Sequence, residues 1–217
     1  MRCEGKGLLA LWNDTDPSKD DEYNDWHVNE HVPERLTVPG MLNAYRYFNA
    51  GNVRYPYFTL YEMQSLEALE TPEYKRLLAE PTPWSRRMRQ YFKNIRRIVC
   101  KGECAASGSN DCAKDIIVLT VSKAELDGTT LIDLFQDRLR TSAHSWRLAV
   151  EDSSASALPW VQDDQKATAE HLLLLITCDH AEAFIPIIEA VLRKQNIKST
   201  TLECYEFQNQ FKTKTNN

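Results

Sequence analysis

The side chains best suited to chemistry lie together in residues 20–47, which read DDEYNDWHVNEHVPERLTVPGMLNAYRY. Two of the five histidines of the chain, His27 and His31, occupy the helical part of this stretch. The unperturbed pKa of histidine lies near neutrality, so an imidazole can accept and return a proton at physiological pH. We predict that His31 is the catalytic acid or base, and that Glu30 or Asp25 orients it or stabilises its charged form.

The same residues allow two other interpretations. The segment HVNEH fits the H-x-x-E-H signature of inverted zinc peptidases at His27, Glu30 and His31. Zinc chemistry needs both imidazoles on one stable helix and a distant third ligand, whereas Pro33 disrupts the helix directly after His31. We therefore predict no metal site. The other interpretation is structural: the histidines belong to a hydrogen-bonded core network, or His31 caps the end of the helix.

Neighbouring aromatic and basic residues supply further candidates. A tyrosine on a strand, Tyr45 or Tyr61, could donate a phenolic hydrogen bond to a developing enolate or lactone oxygen. Side chains suited to contacting a planar, ring-containing substrate, or its carboxylate, are Trp12, Trp26, His27, Arg46 and Trp84. Tyrosine, tryptophan and an exposed arginine serve packing or solvation equally well, so these assignments depend on where the fold places each side chain.

The elements that must position these residues can be inferred from periodicity and turn signals. GLLALW, followed by the turn-forming NDTDPS, predicts a buried first strand. A helix begins near Asp20, and its regular part is predicted to end at Pro33, since the residue before a proline is pushed out of the helical region. Strand, strand, helix and strand patterns follow, which gives the order β-α-β-β-α-β.

This order is repeated in the second half of the chain. We predict an α+β protein made of two ferredoxin-like plaits, residues 1–101 and 115–217, joined by a polar linker at 102–114. A single plait leaves one face of its sheet uncovered. We therefore expect the two plaits to pack sheet to sheet as an α+β barrel, either as a monomer or as a homodimer.

Composition excludes several classes of function. The net charge of −5 argues against nucleic-acid binding, which needs a basic face. No apolar run approaches the roughly 20 residues needed to span a bilayer, and the N-terminus lacks the features of a signal peptide. We therefore expect a cytoplasmic protein with no membrane partner, whose six cysteines are mainly reduced thiols.

The first half also resembles a known family. The pieces that carry the resemblance are the strand ALWND, the helix EYNDWHVNEHVPERLTVPG leading into MLNAYRY, the strand YFTLYEM, and PEYKRLLAEPTPWSRRMRQYF. Together, with the W-x4-H-x-P core at Trp26, His31 and Pro33, they are similar to the dimeric α+β barrel proteins, and among these to the EthD-like and muconolactone-isomerase-like members. The second half offers His144 and Trp146 but no H-x-P motif.

The resemblance implies a small-molecule pocket in each plait, with His31 near the substrate. Family members include cofactor-independent isomerases, cyclases, dehalogenases and quinone-forming monooxygenases, and some barrels of two plaits bind haem through a histidine. We expect a cofactor-independent isomerase, lyase or cyclase that acts on a ring-containing substrate, with a degenerate second half. The alternatives are a cofactor-free monooxygenase and a non-catalytic ligand-binding or structural barrel.

Overall fold

The computed structural model describes residues 5–107, 113–154 and 170–213. Strands and helices are mixed along this part of the chain, so the predicted α+β class is confirmed. The strands are β1 (Gly7–Thr15), β2 (Met41–Phe48), β3 (Tyr57–Met63), β4 (Phe92–Ser107), β5 (Asp115–Ser122), β6 (Ser145–Glu151), β7 (His171–Cys178) and β8 (Thr200–Lys212).

The α-helices lie between these strands: α1 (Asp20–Trp26), α2 (Val32–Arg35), α3 (Pro72–Ala79), α4 (Pro83–Met88), α5 (Gly128–Ser142) and α6 (Ala181–Lys194). Side chains cap several of them. Thr71 accepts a hydrogen bond from the Tyr74 amide at α3, and Asp127 accepts one from the Thr130 amide at α5. None of the described helices is long and apolar enough to cross a membrane.

The N-terminal unit comprises residues 5–98 together with 208–213. Its strands follow the order β4-β1-β3-β2-β8, and β3 is antiparallel to both β1 and β2. In the antiparallel pairing Arg46 faces Thr59 and Ala44 faces Tyr61, while Tyr45 faces Leu60. Directly opposed residues share a face of the sheet, so Arg46, Thr59 and Tyr61 lie on one face and Tyr45 on the other.

The C-terminal unit comprises residues 99–207, and its strands follow the order β8-β5-β7-β6-β4. The central strand β5 is buried throughout. One side of the sheet packs against α5 and α6 in an apolar core that includes Leu131, Phe135, Phe184 and Ile188. The predicted strands and helices of this half are therefore confirmed where the structure describes them. The sequence also predicts a loop that contains Pro159 and Trp160, and it lies outside the described residues.

The two units divide the chain differently from the predicted halves. Their boundaries fall inside strands, after Ile98 in β4 and after Phe207 in β8. Residues 102–107, which we assigned to the linker, instead continue β4 as paired strand, opposite β6. Small residues such as Gly102 and Ala105 look like linker composition, but backbone pairing with β6 decides their conformation.

Candidate functional site

The helix that carries both histidines changes its geometry at the histidines. It is α-helical in α1, forms a π-helical turn at His27–His31, and returns to α-geometry in α2. The Val32 amide donates to the carbonyl of His27, five residues earlier. Pro33 has no amide hydrogen and its ring crowds the preceding turn, so the helix widens before Pro33. The sequence predicts that the regular part of the helix ends at Pro33, with a further loose turn at residues 34–36. The regular α-geometry instead ends earlier, at Trp26, and a last helical turn continues to Arg35.

The π-helical turn sets the position of His31. In a regular α-helix, residues three and four apart share a face and a residue five apart does not. Here the imidazole of His31 packs on the indole of Trp26, five residues earlier, with a ring-centroid distance of 4.4 Å. The His27 ring is 5.4 Å from the His31 ring. The turn therefore gathers the three rings into one cluster.

This helix packs on the sheet face that carries Arg46, Thr59 and Tyr61. His27 Nε2 lies 3.4 Å from the hydroxyl of Thr59. One turn earlier, the Tyr57 hydroxyl donates to Asp20 Oδ1 at 2.5 Å, and it accepts a hydrogen bond from Asn24. These contacts fix the helix against β3, and alternation along β3 directs Tyr61 to the same face.

On the histidine helix and on Tyr61, four buried polar atoms have no hydrogen-bond partner among the described residues. They are Nδ1 of His27, Nδ1 of His31, Nη1 of Arg35 and the hydroxyl of Tyr61. Buried polar groups in proteins are almost always hydrogen-bonded, and leaving one unpaired costs about 1–3 kcal/mol. Four unpaired atoms on one helix and the strand beneath it are therefore expected of a site that a ligand completes, and we refer to them as the polar cluster.

Electrostatics keeps the two histidines neutral. Burial lowers the pKa of His31 well below its usual value, and the positive charge of Arg35 adds to the effect. The pKa of His27 is likewise lowered well below its usual value by burial, and by the charges of Arg46 and Arg35. Burial also raises the pKa of Tyr61. At neutral pH the cluster thus offers two unprotonated imidazoles, a protonated phenol and one guanidinium.

The carboxylates predicted to orient His31 are engaged elsewhere. Glu30 Oε1 accepts hydrogen bonds from the indole of Trp26 at 3.0 Å, from Thr82 at 2.6 Å and from Ser85 at 2.9 Å. Asp25 is exposed and accepts from Asn29. His31 is instead positioned by its ring contacts. The orienting role predicted for Glu30 and Asp25 therefore finds no support in these hydrogen bonds.

The sheet separates the other predicted residues into two groups. Trp12 lies beside Phe58, with ring centroids 4.8 Å apart, and Tyr45 donates to Glu62 at 3.2 Å. Both side chains occupy the face opposite to Tyr61. They are therefore not brought together with His31, and the catalytic role of Tyr45 and the substrate contact of Trp12 find no support in this placement.

Arg46 and Trp84 lie on the helix side of the sheet, where they are packed into the protein. Arg46 is buried, donates to Asn24 Oδ1 at 2.5 Å, and lies over the rings of Tyr23 and Tyr57. Trp84 packs against the apolar cluster that contains Tyr23, Trp26, Tyr57 and Met88. The alternative of packing for Trp84 therefore matches its surroundings, whereas the alternative of an exposed Arg46 is wrong.

Arg35 is the member of the cluster that sequence reasoning missed. It is 6% exposed and contributes the first-named charge effect on both His31 and Tyr61. The available signal was its spacing, since Arg35 follows His31 by four residues and His27 by eight, the separations that place side chains on one helix face.

Histidines in both units are candidate ligands for a metal ion or for haem. Among the described residues, no three His, Cys, Asp or Glu side chains are grouped to hold a metal ion. In the C-terminal unit, a cavity of about 360 Å³ is lined by His144 and Trp146. A histidine would coordinate haem iron through its Nε2 atom. The Nε2 atom of His144 already lies 2.9 Å from Asp179 Oδ2. These residues do not fit a haem ligand set, and we derive no step through haem.

Known proteins resemble this chain in structure and not in sequence. No protein-family model and no curated protein sequence matches it. A solved structure of an anthrone oxidase-like protein has a TM-score of 0.68 at 12% identity, covering 99% of this chain and 96% of that one. The chain shares its fold. At this level of identity the likeness concerns the fold alone.

Two further solved structures extend the comparison. A monooxygenase-like protein from Fusobacterium nucleatum has a TM-score of 0.57 at 8% identity, with 97% of this chain and 96% of that chain covered. A chlorite dismutase variant from Candidatus Nitrospira defluvii has a TM-score of 0.56 at 10% identity, with 95% and 92% covered. The narrower resemblance to EthD-like and muconolactone-isomerase-like proteins stays a prediction.

Proposed function

We propose that the protein is a small-molecule enzyme that removes a proton from a ring-containing substrate without a cofactor. The observation that carries the proposal is the polar cluster, in which neutral His31 and protonated Tyr61 both present buried, unpaired atoms. A non-catalytic core network would be expected to pair these atoms with one another. Their lack of partners supports a ligand site instead.

In the proposed reaction His31 acts as the general base. In the tautomer that carries its hydrogen on Nε2, Nδ1 holds the lone pair that accepts a proton from an acidic ring carbon. The electron pair of the broken C–H bond moves toward the carbonyl oxygen of the substrate and forms an enolate. The hydroxyl of Tyr61 donates a hydrogen bond to that oxygen. Return of the proton to another carbon completes an isomerisation.

The rings around His31 favour a flat substrate. The indole of Trp26 is 1% exposed and donates its hydrogen to Glu30 and Ser85, so it is fixed in place. It leaves His31 little freedom to turn. A base held in one orientation lowers the entropic cost of reaching the transition state, and an aromatic neighbour favours stacking of a planar ring.

Proton abstraction can be tested apart from any later step. Anthrone, whose methylene group lies opposite a ring carbonyl, is incubated with the protein in anaerobic D2O, and exchange of the methylene hydrogens is followed by NMR. We expect exchange above the buffer rate, and a loss of about 100-fold or more in His31→Ala, the range of general-base catalysis. The matched control is His180→Ala, since His180 is exposed. Unchanged exchange in His31→Ala would refute the assignment.

A second candidate is a cofactor-free oxidase or monooxygenase. Its support is the likeness in fold, over 99% of this chain, to an anthrone oxidase-like protein. In this case the same carbanion would react with molecular oxygen. The methylene group becomes a carbonyl, one oxygen atom enters the product and the other leaves as water, so one O2 is consumed per product. An oxygen electrode with anthrone distinguishes this candidate, since an isomerase consumes none.

We also propose the finer architecture and setting. The strand orders β4-β1-β3-β2 and β8-β5-β7-β6 each support a ferredoxin-like plait. We propose that each unit is a ferredoxin-like plait, and that the protein is a cytoplasmic monomer or homodimer. Native mass spectrometry of the purified protein measures the subunit count and any co-purified ligand.

A further inference from the structure

Arg35 is a buried cation without a counter-ion. Only 6% of the residue is exposed, and within the described part of the chain no ion pair or hydrogen bond of its side chain is present. The ring of Tyr74 lies 6.0 Å from the guanidinium carbon. This ring contact does not supply a negative charge.

The surroundings of Arg35 are positive rather than negative. Arg89, whose guanidinium donates to the carbonyls of Leu77 and Leu78, contributes a second positive charge felt by His31 and by Arg35. The adjacent carboxyl is Glu34, and burial raises its pKa. It forms no ion pair with Arg35 at 4.0 Å or less among the described residues. The charges of Arg35 and Arg89 attract the Glu34 carboxylate, but among the described residues no carboxylate pairs directly with Arg35.

Burying a charge without a partner has a large desolvation cost in free energy. Such a group is retained where a ligand supplies the missing charge. We infer that Arg35 binds a carboxylate of the substrate, so that the substrate is a ring-containing organic acid. The inference rests on the proposed function, because it takes the polar cluster as the substrate site, and it adds the chemical class of the substrate.

The positions of Arg35 and His31 in the polar cluster allow Arg35 to bind the carboxylate while His31 acts as the base. Arg35 lies four residues after His31, so the guanidinium and the base lie on the same side of the helix. A guanidinium presents paired N–H donors that match the two oxygens of a carboxylate. A carboxylate held there anchors one end of a flat molecule, while its ring extends toward Trp26 and His31.

The inference can be tested by binding alone, with two probes of equal shape. 2-Naphthoate carries a carboxylate, and 2-naphthamide is its neutral counterpart. Binding is measured by isothermal titration calorimetry on the full chain. We expect 2-naphthoate to bind at least tenfold more tightly than 2-naphthamide. In Arg35→Met, 2-naphthoate affinity should fall at least tenfold while 2-naphthamide affinity stays within twofold. Arg35→Lys, which keeps the charge without the fork, should lie between.

Two controls separate ligand binding from a structural role. Arg54 is exposed and lies over the ring of Tyr55, so Arg54→Met removes an arginine of the same unit and should leave both affinities unchanged. Thermal unfolding without ligand supplies the other control. Removing an unpaired buried charge should leave the Tm of Arg35→Met unchanged or raise it, and 2-naphthoate should raise the Tm of the wild type only.

Several outcomes would overturn the inference. Equal affinity for the two probes, no saturable binding of 2-naphthoate, or unaltered 2-naphthoate binding by Arg35→Met would each do so, as would a clear fall in Tm of the ligand-free variant. These results are distinct from failure of the proposed function. If His31→Ala retained proton exchange while Arg35→Met lost 2-naphthoate, the site would bind organic acids and the base would be another group.

Discussion

The imidazole of His31 is held by its neighbours' rings. Trp26 lies against it at 4.4 Å, and His27 lies 5.4 Å away. In the described part of the chain no carboxylate is hydrogen-bonded to it, and burial and the positive charges of Arg35 and Arg89 disfavour the imidazolium form. A base in such surroundings stays unprotonated over a wide pH range and gains its driving force from stabilisation of the product anion.

The lowered pKa values of His27 and His31 predict how stability depends on pH. The unfolded chain takes up protons at these histidines below a pKa near 6.5, whereas the folded chain does not until a much lower pH. Unfolding is therefore favoured as the pH falls from 6.5 toward the folded-state pKa values, by about 1.4 kcal/mol per pH unit for each histidine. Urea unfolding between pH 7 and 5 measures this slope.

Variants of single histidines show which residues cause the pH dependence of the free energy of unfolding. His27→Gln and His31→Gln should each reduce the loss of stability between pH 6.5 and 5, because each removes one of the two protons taken up on unfolding. His180→Gln should retain the full slope, since His180 is 80% exposed. A wild-type protein as stable at pH 5 as at pH 7 would contradict the lowered pKa values.

At the scale of elements, the Glu30 carboxylate joins the histidine helix to α4. It accepts hydrogen bonds from the side chains of Trp26, Thr82 and Ser85, while the Thr82 hydroxyl also caps α4 by accepting from the Ser85 amide. The indole of Trp26, against which His31 packs, is thus fixed from outside its own helix.

Replacing Glu30 should loosen this joint. Glu30→Ala removes an acceptor that three donors share, and we expect the free energy of unfolding to fall by about 2 kcal/mol or more. For a chain of this length this corresponds to a fall in Tm of about 4–8 °C. Asp25→Ala, on the exposed side of the same helix, is the control and should change stability by about 0.5 kcal/mol or less. Equal effects of the two substitutions would contradict the joint described above.

The π-helical turn gives a second prediction at this scale. Pro33→Ala restores the missing amide and removes the crowding ring, so the segment should be able to return to α-geometry. Trp26 and His31 would then lie on different faces. We expect proton exchange on anthrone to fall at least tenfold, with Tm unchanged or raised. Exchange within twofold of the wild type would show that the turn does not depend on Pro33.

Element order was predictable from the sequence, whereas the composition of the site was predictable only in part. Periodicity gave the strands and the amphipathic helices, and it grouped Trp26 with His27. It placed His31 at the border of the helix face, because a regular period of 3.6 residues does not foresee a π-helical turn. It also missed the burial of Arg35 and the engagement of Glu30, since both depend on α3 and α4, which lie about 40 residues or more along the chain.

At the scale of the whole molecule, the last residues of the chain belong to the N-terminal unit. Residues 208–213 follow the boundary within β8. The Thr213 amide donates to the carbonyl of Leu42, and its hydroxyl donates to the carbonyl of Met41 at 2.6 Å. This end of the chain therefore covers the edge of β2, the strand that carries Arg46.

Truncation tests whether the stability of the N-terminal unit depends on residues 208–213. Removing residues 208–217 exposes the backbone groups of β2, and we expect the Tm to fall by about 5 °C or more, since 1 kcal/mol corresponds to about 2–4 °C in a chain of this size. The control is a chain ending at Thr213, which should retain the wild-type Tm. The assignment of residues 208–213 would be wrong if both truncated chains melted alike.

The position of β8 in the chain has a consequence for folding during synthesis. Residues 5–98 contain the whole polar cluster and are synthesised before residues 208–213, which belong to the strand that flanks β2. Folding of residues 5–98 as a separate unit, the usual course for a multidomain chain, would leave an open sheet edge until residues 208–213 have been made. Such an edge can pair with another nascent chain. The protein should therefore need chaperones more while it is being translated than when the full chain refolds.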